Sequence, residues 1–316
     1  MKKLEIFLIN NNILVILFFT ILVFSMVSPF FFELRNITNI LRQASLLAII
    51  GMAQTLVILT GGIDLSVGSN IALSTVIVGP MLLTDIPFII PVVLILLIGA
   101  GFGLVNGLII TKLKLPPFIV TYSTMFVARG LAWLSTGGHV VYQLKPNFRF
   151  LGTGAIFGLE TPTFFCIAIF FILSFILNKT IFGRKIYFVG ANEKAALFSG
   201  ILKDDVLLKV YTLCGLITSF AGILYVSRLN AVEPGIGELF NLNSIAVVLI
   251  GGTAISGGVG GLLGTWIGAI LIAIIQNGMN LLQVPSELQT VYLGILIIVA
   301  VLINTYTDLY KRSLGL

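Results

Sequence analysis

Asp64 is the residue whose chemistry most needs an explanation. It lies in the segment 61–68, GGIDLSVG, directly after an apolar run, and it is the only acidic residue between Gln43 and Thr84. A carboxylate at the centre of a membrane helix costs about 2.5–3.5 kcal/mol on insertion scales. Three roles are open: N-cap of the next helix, a position at the membrane interface, or contact with a polar substrate in a transport pathway.

Few other side chains offer reactive chemistry. His139 is the only histidine, Cys166 and Cys214 lie in apolar runs, and the chain has no G-x-x-x-x-G-K-[ST] motif. We therefore predict no metal site, no histidine-based catalytic pair and no ATP site of the P-loop type, and we interpret both cysteines as packing residues. Arg129 lies in an apolar run and is a candidate partner for Asp64, because intramembrane ions tend to pair. We expect no covalent catalysis and no cofactor bound by this chain.

A second glycine segment is similar to the first. Residues 251–258 read GGTAISGG and keep the pattern G-G-x-x-apolar-S-x-G of residues 61–68. Consecutive glycines weaken a helix by about 1 kcal/mol each. The two segments are either equivalent parts of an internal repeat or a chance similarity, and in both cases they predict broken helices of the kind that lines transport pathways and gates. The candidate pathway and gate residues are Gly61, Gly62, Asp64, Ser66, Gly68, Gly251, Gly252, Ser256 and Gly257.

Apolar spans must position these segments. The chain is 58% hydrophobic and 9% charged, with a mean hydropathy of +1.13, whereas soluble proteins are about 25% charged. The fold class predicted is an all-α polytopic membrane protein, and the apolar run 13–32 is too long for the core of a signal peptide. Runs of about 20 apolar residues predict ten spans, at 13–32, 44–61, 66–83, 87–110, 117–135, 162–178, 206–227, 241–255, 261–277 and 288–305.

The basic residues predict the orientation. With the N-terminus in the cytoplasm, twelve of the eighteen basic residues lie in inner loops, five in outer loops and Arg129 in a span. This bias predicts that both termini are cytoplasmic, and it explains the net charge of +6 without nucleic-acid binding. Small-residue stripes at Gly99, Gly103 and Gly107 and at Gly260, Gly264 and Gly268 predict close helix packing. We expect one transmembrane domain over residues 1–316, with a cytoplasmic loop at 179–205.

That loop contains a short predicted helix. Asn192 is a favourable N-cap, Glu193 suits the first helical turn, and Gly200 can end the helix after about two turns. The pattern alone leaves two interpretations open. The helix is either a solvated connector or a docking helix that presents Leu197, Phe198 and Ile201.

Four segments together give the chain a family resemblance. They follow one another in the family's order over about residues 39–302, and the chain resembles the ribose-type ABC importer permeases. The segments are TLVILTGGIDLSVGS (55–69), GRKIYFVGANEKAALFSGI (183–201), NLNSIAVVLIGGTAISGG (241–258) and NGMNLLQVPS (277–286).

The resemblance implies the permease subunit of an importer for ribose, a related pentose or another simple sugar. Autoinducer-2 is an alternative substrate, and an ion-coupled secondary transporter is the rival class. Asn243 and the residues 259–261 depart from the family, whose members often have an acidic and a basic residue there, so ribose is not firmly assigned.

The resemblance also implies partners. These are a cytosolic ABC ATPase that holds ATP and magnesium, an extracytoplasmic sugar-binding protein, and a second permease chain as a homodimer or related heterodimer. They act in the lipid bilayer of the bacterial inner (cytoplasmic) membrane. The residues implied in ATPase coupling are Asn192, Glu193, Ala195, Ala196, Phe198, Ser199 and Gly200.

Overall fold

The computed structural model describes residues 12–295, 298, 299 and 302. Within these residues the chain is mainly α-helical, and a 3-10 helix (Gly79–Leu83) continues the third α-helix. Residues 286–295 are also helical. The α-helices are α1 (Asn12–Val27), α2 (Leu34–Leu59), α3 (Val67–Val78), α4 (Ile89–Leu113), α5 (Pro117–Thr136), α6 (Pro146–Thr153), α7 (Thr161–Lys179), α8 (Ile181–Ala191), α9 (Glu193–Phe198), α10 (Lys203–Leu229), α11 (Phe240–Ile250) and α12 (Leu262–Leu281).

Two pairs of very short strands interrupt the helices. β1 (Val141–Tyr142) pairs antiparallel with β4 (Ala231–Val232), and β2 (Ala155–Ile156) pairs antiparallel with β3 (Leu159–Glu160). We call this end of the helix bundle the strand end. The opposite end carries α8 and α9, and we call it the short-helix end.

The helices confirm a polytopic membrane protein. Five of them, α2, α4, α7, α10 and α12, are long and apolar enough to cross a membrane. Each of the first nine predicted spans overlaps a helix of the structure, and the tenth, 288–305, extends beyond the described residues. The prediction for the second span was too short, because α2 begins at Leu34 and carries Arg42, whose charge is paired with Glu160.

Two helices are too short to cross a bilayer alone. α3 has 12 residues and α11 has 11, which gives each about 17 Å of length against a hydrocarbon core of about 30 Å. Both adjoin the predicted glycine breaks: α2 ends before Gly61 (φ 78°), and α11 ends before Gly252 (φ 84°). The predicted broken helices are therefore confirmed.

α10 runs the length of the bundle and packs closely against α4. Gly99 faces Ser219, and Gly103 faces the backbone of Tyr211, with no room for a Cβ atom at either glycine. This confirms the first predicted packing stripe. In the second stripe Gly264 and Gly268 face α11, but Gly260 precedes α12 with φ 131°, so its place on a helical stripe was predicted wrongly.

Candidate functional site

Asp64 lies inside the protein, with 3% of its surface exposed. Its Oδ1 atom accepts hydrogen bonds from the backbone N–H of Ser66 (2.8 Å) and from Ser66 Oγ (2.6 Å). This is the side-chain turn that aspartate often forms with the residue two positions on. Because α3 begins at Val67 and Ser66 occupies the N-cap position, the first of the three roles left open for Asp64, that of N-cap, is not the one the structure shows.

Two neighbouring helices hold this turn. Asn106 of α4 donates from Nδ2 to Ser66 Oγ (2.9 Å), and the N–H of Leu65 donates to Thr121 Oγ1 of α5 (3.2 Å). The turn thus joins the end of α2 and the start of α3 to α4 and α5. A buried carboxylate needs such partners, since burial without hydrogen bonds is costly.

Arg129 is not the partner of Asp64. Its Nη1 atom donates to the carbonyl oxygens of Pro234 (2.6 Å) and Ile236 (2.8 Å). Arg129 lies eight residues beyond Thr121 on α5, about 12 Å further along the helix, whereas Asp64 is next to the residue that Thr121 contacts. The predicted pair was wrong, because the two residues lie at different depths of the bundle.

The two glycine segments meet. The N–H of Gly258 donates to the carbonyl of Leu59 across 2.9 Å. A Cβ atom on Gly257 would lie 2.7 Å from the nitrogen of Gly61, and one on Gly61 would lie 3.4 Å from the carbonyl oxygen of Ser256. The end of α2 and the loop after α11 therefore form one contact, which we call the glycine junction (Leu59, Gly61, and residues 256–258). An internal repeat stays a prediction.

The other candidate gate glycines lie at separate contacts. Gly62 faces the hydroxyl of Tyr211, and Gly68, the second residue of α3, packs against Gly237. Gly251 packs on the backbone of Gly264. The structure thus distributes the predicted residues between the junction and helix contacts nearby.

α8 docks directly on the glycine junction. Gly190 leaves no room for a Cβ atom, which would collide with the carbonyl of Leu59 and lie 2.5 Å from the nitrogen of Gly258. Tyr187 Oη donates to the carbonyl of Gly260 across 3.0 Å. Neither residue was among the sequence candidates. The spacing of Gly183, Tyr187 and Gly190 places them on one helix face, and that spacing was the signal available.

The predicted short helix is confirmed as α9. Asn192 Oδ1 accepts from the N–H of Ala195 (3.0 Å), and Glu193 lies in the first turn, where it accepts from Lys203 Nζ (2.6 Å). Gly200 follows the helix with φ 74°. Among the coupling candidates Ala196 is buried, while Asn192, Glu193, Ala195, Phe198, Ser199 and Gly200 are exposed.

A segment that sequence reasoning missed reaches the middle of the bundle. Residues 233–239 follow β4 at the strand end, and Gly237 packs against Gly68 without room for a Cβ atom. Asn241 accepts from the N–H of Gly68 (2.7 Å) and donates from Nδ2 to Met125 Sδ (3.4 Å). The signal was EPGIGE at 233–238, where two acids and two glycines precede an apolar run. We call residues 233–239 the inward segment.

The fold and these contacts define a helical membrane permease. A family model described as the permease component of a branched-chain amino acid transport system matches residues 36–301, and the chain belongs to this family.

Curated relatives narrow the class to ribose-type permeases of ABC sugar importers, as the sequence resemblance predicted. The chain is 43% identical over 290 residues to the ribose import permease protein of Bacillus subtilis, covering 91% of this chain and 90% of the relative. It is 38% identical over 301 residues to the ribose import permease protein of Escherichia coli K12, covering 94% of each. The D-allose transport system permease protein of the same strain is 35% identical over 291 residues, covering 92% of this chain and 89% of the relative. No solved structure matches the chain.

Proposed function

We propose that this chain is the transmembrane permease subunit of an ATP-binding-cassette importer for ribose. The observation that carries the proposal is the 43% identity with a ribose import permease over nine-tenths of both chains. Relatives named for D-allose, L-arabinose and fructose make other monosaccharides the alternatives, together with autoinducer-2. The scarcity of charged residues in the spans supports a neutral substrate.

The proposed arrangement in the membrane has ten spans with both termini in the cytoplasm. The overlap of nine predicted spans with helices supports this number. The concentration of Lys179, Arg184, Lys185, Lys194 and Lys203 at the short-helix end supports a cytoplasmic location for that end. The strand end then faces outward, and the membrane is the bacterial inner membrane.

The proposed partners act at these two ends. A cytosolic ATPase, which holds ATP and magnesium, docks on the coupling loop 179–205. The 89% exposure of Phe198 supports this docking, because an aromatic side chain so exposed is typical of a contact surface. A sugar-binding protein delivers substrate at the strand end, and a second permease chain, identical or related, completes the pathway.

We assign the gate to the glycine segments. Gly61, Gly62, Asp64, Ser66 and Gly68 of the first segment and Gly251, Gly252, Ser256 and Gly257 of the second are its proposed residues. The contact between Leu59 and Gly258 supports a gate that opens when the two segments separate. The docking of α8 on both segments supports control of this gate by the ATPase.

Reconstituted vesicles test the proposal. The chain is purified with its ATPase and binding protein, and uptake of radiolabelled ribose is measured with and without ATP. We expect uptake that requires ATP and is not reduced by an excess of leucine, the competitor that the family's amino acid name suggests. Uptake driven by a proton or sodium gradient without the ATPase would contradict the proposal and favour a secondary transporter.

A further inference from the structure

The inward segment has a position that an ordinary loop does not reach. Its two carbonyl contacts are with Arg129, and the Asn241 that follows it contacts Met125. Met125 and Arg129 are the ninth and thirteenth of the twenty residues of α5, so both lie near the middle of that helix. The backbone of the inward segment therefore lies at membrane depth without being helical.

Non-helical backbone at this depth persists only where it is enclosed in protein or lines a water-filled cavity. The inward segment is enclosed in protein on one side. Pro234, Ile236 and Gly237 are buried against α3 and α5, while Glu233 and Glu238 are exposed. Acidic side chains within membrane proteins almost always face a water-filled cavity or the interior of the bundle. The two exposed carboxylates, unlike the exposed Leu239 beside them, are therefore better placed against water than against lipid.

The side chains on the exposed side of this segment suit a sugar. The carboxylate of Glu238 forms no ion pair with Arg129 or with another cation among the described residues. Glu238 can thus accept hydrogen bonds from hydroxyl groups. Arg129 also keeps one nitrogen, Nη2, buried and without a partner in the described part of the chain.

Aromatic rings accompany these polar groups. Tyr122, Phe126 and Arg129 follow one another at helical spacing, so they share a face of α5. Tyr122 and Phe126 are exposed, and their ring centroids are 5.0 Å apart. A few placed polar groups beside aromatic rings are the usual composition of a site for a small molecule.

We propose that the inward segment is a wall of the sugar pathway, in which Glu238 binds sugar hydroxyl groups and Arg129 is the positioning residue that holds the segment at membrane depth. This inference rests on the proposed function, and it adds a substrate contact that lies apart from the glycine junction. Asn241 fixes the inner limit of the wall by its bond to Gly68.

The test uses the complete transporter in vesicles, with uptake of ribose and ATP hydrolysis measured together. In Glu238→Ala we expect uptake per ATP hydrolysed to fall about tenfold, the effect of losing one hydrogen bond to a charged group. The concentration of sugar-loaded binding protein that half-maximally stimulates hydrolysis should stay unchanged. Glu287→Ala removes an exposed carboxylate that lies outside the inward segment and makes no side-chain hydrogen bond or ion pair in the described part of the chain. This control variant should keep its uptake within about twofold.

The positioning role of Arg129 is tested by a separate measurement. In Arg129→Met the inward segment loses its two hydrogen bonds to the guanidinium. A cysteine placed at Gly235 should then react faster with a water-soluble maleimide than it does in the otherwise wild-type protein. Arg129→Lys should slow this labelling again in part. Provided that the wild-type transporter takes up ribose, normal uptake per ATP in Glu238→Ala or unchanged labelling in Arg129→Met would overturn this inference. Absence of ATP-dependent sugar uptake by the wild type would instead overturn the proposed function.

Discussion

The backbone N–H of Gly258 donates to the carbonyl of Leu59, although 199 positions separate the two residues in the chain. This one bond joins the end of α2 to the loop between α11 and α12. Since α8 packs over it through Gly190, a movement of α8 toward the bundle would press on both glycine segments at the same point. In the proposed function, the glycine junction is the mechanical link between the coupling loop and the gate.

Replacement of Gly190 by alanine tests this link. The added Cβ would collide with Leu59 and Gly258, so α8 must move away from the junction. We expect ribose uptake to fall while ATP hydrolysis continues, which is uncoupling, and we expect a lower thermal unfolding temperature from overpacking of about 1–3 kcal/mol.

Gly130→Ala is the control for Gly190→Ala. Gly130 is also a helical glycine, and a Cβ atom there would meet nothing within 4 Å. The Gly130→Ala variant should leave coupling intact, and its free energy of unfolding should rise by up to about 1 kcal/mol because alanine has the higher helix propensity. Equal coupling in both variants would show that α8 does not act through the junction.

Tyr187→Phe removes a single hydrogen bond, from Oη to the carbonyl of Gly260. We expect the contact between α8 and Gly260 to be weakened by about 1 kcal/mol. This should appear as a several-fold decrease in uptake per ATP, with assembly of the permease with its ATPase unchanged. Tyr142→Phe at the exposed β1 strand is the comparison, and it should behave as the wild type. Measurement of uptake and phosphate release on the same vesicles checks both variants, and a normal ratio in Tyr187→Phe would contradict the assignment.

The pair of Arg42 and Glu160 should stabilise the strand end. Its side chains are 30% and 25% exposed, and Arg42 makes two bonds to the carboxylate. Because the pair is partly shielded and bidentate, we expect a double-mutant cycle in detergent to give a coupling energy of about 1–3 kcal/mol. The more exposed pair Lys145–Asp85 should give about 0–1 kcal/mol. Equal coupling energies for the two pairs would contradict this difference.

The periodicity of apolar residues predicted most helices and both breaks, because spans and glycines leave local signals. The N-cap at Asn192 could also be predicted from a local signal, since the N–H that it accepts from belongs to Ala195, three residues away. The contacts that organise the site are not local. The hydrogen-bond partners of Arg129 lie more than one hundred positions away, in the inward segment. The sequence alone suggested Asp64 as the partner of Arg129 instead.

The role of Asp64 shows the same limit at short range. An acid before a helix favours an N-cap, but the helix begins two residues later than a cap at Asp64 requires. Ser66 occupies the N-cap position without a side-chain capping bond, since its hydroxyl donates to Asp64 and accepts from Asn106 instead. A shift of one or two residues in a helix start is below what capping preferences can predict.

Asp64→Asn and Asp64→Ala separate a turn from a sugar contact. Asparagine keeps an oxygen that can accept from Ser66, whereas alanine leaves a buried N–H and a buried hydroxyl each without an acceptor, and each loss costs about 1–3 kcal/mol. If Asp64 maintains the turn, Asp64→Asn should remain folded and transport ribose, and Asp64→Ala should show a clearly lower unfolding temperature. The exposed Asp85→Ala serves as the control for loss of a carboxylate. A folded Asp64→Asn that transports no ribose would show that the charge itself acts in the pathway.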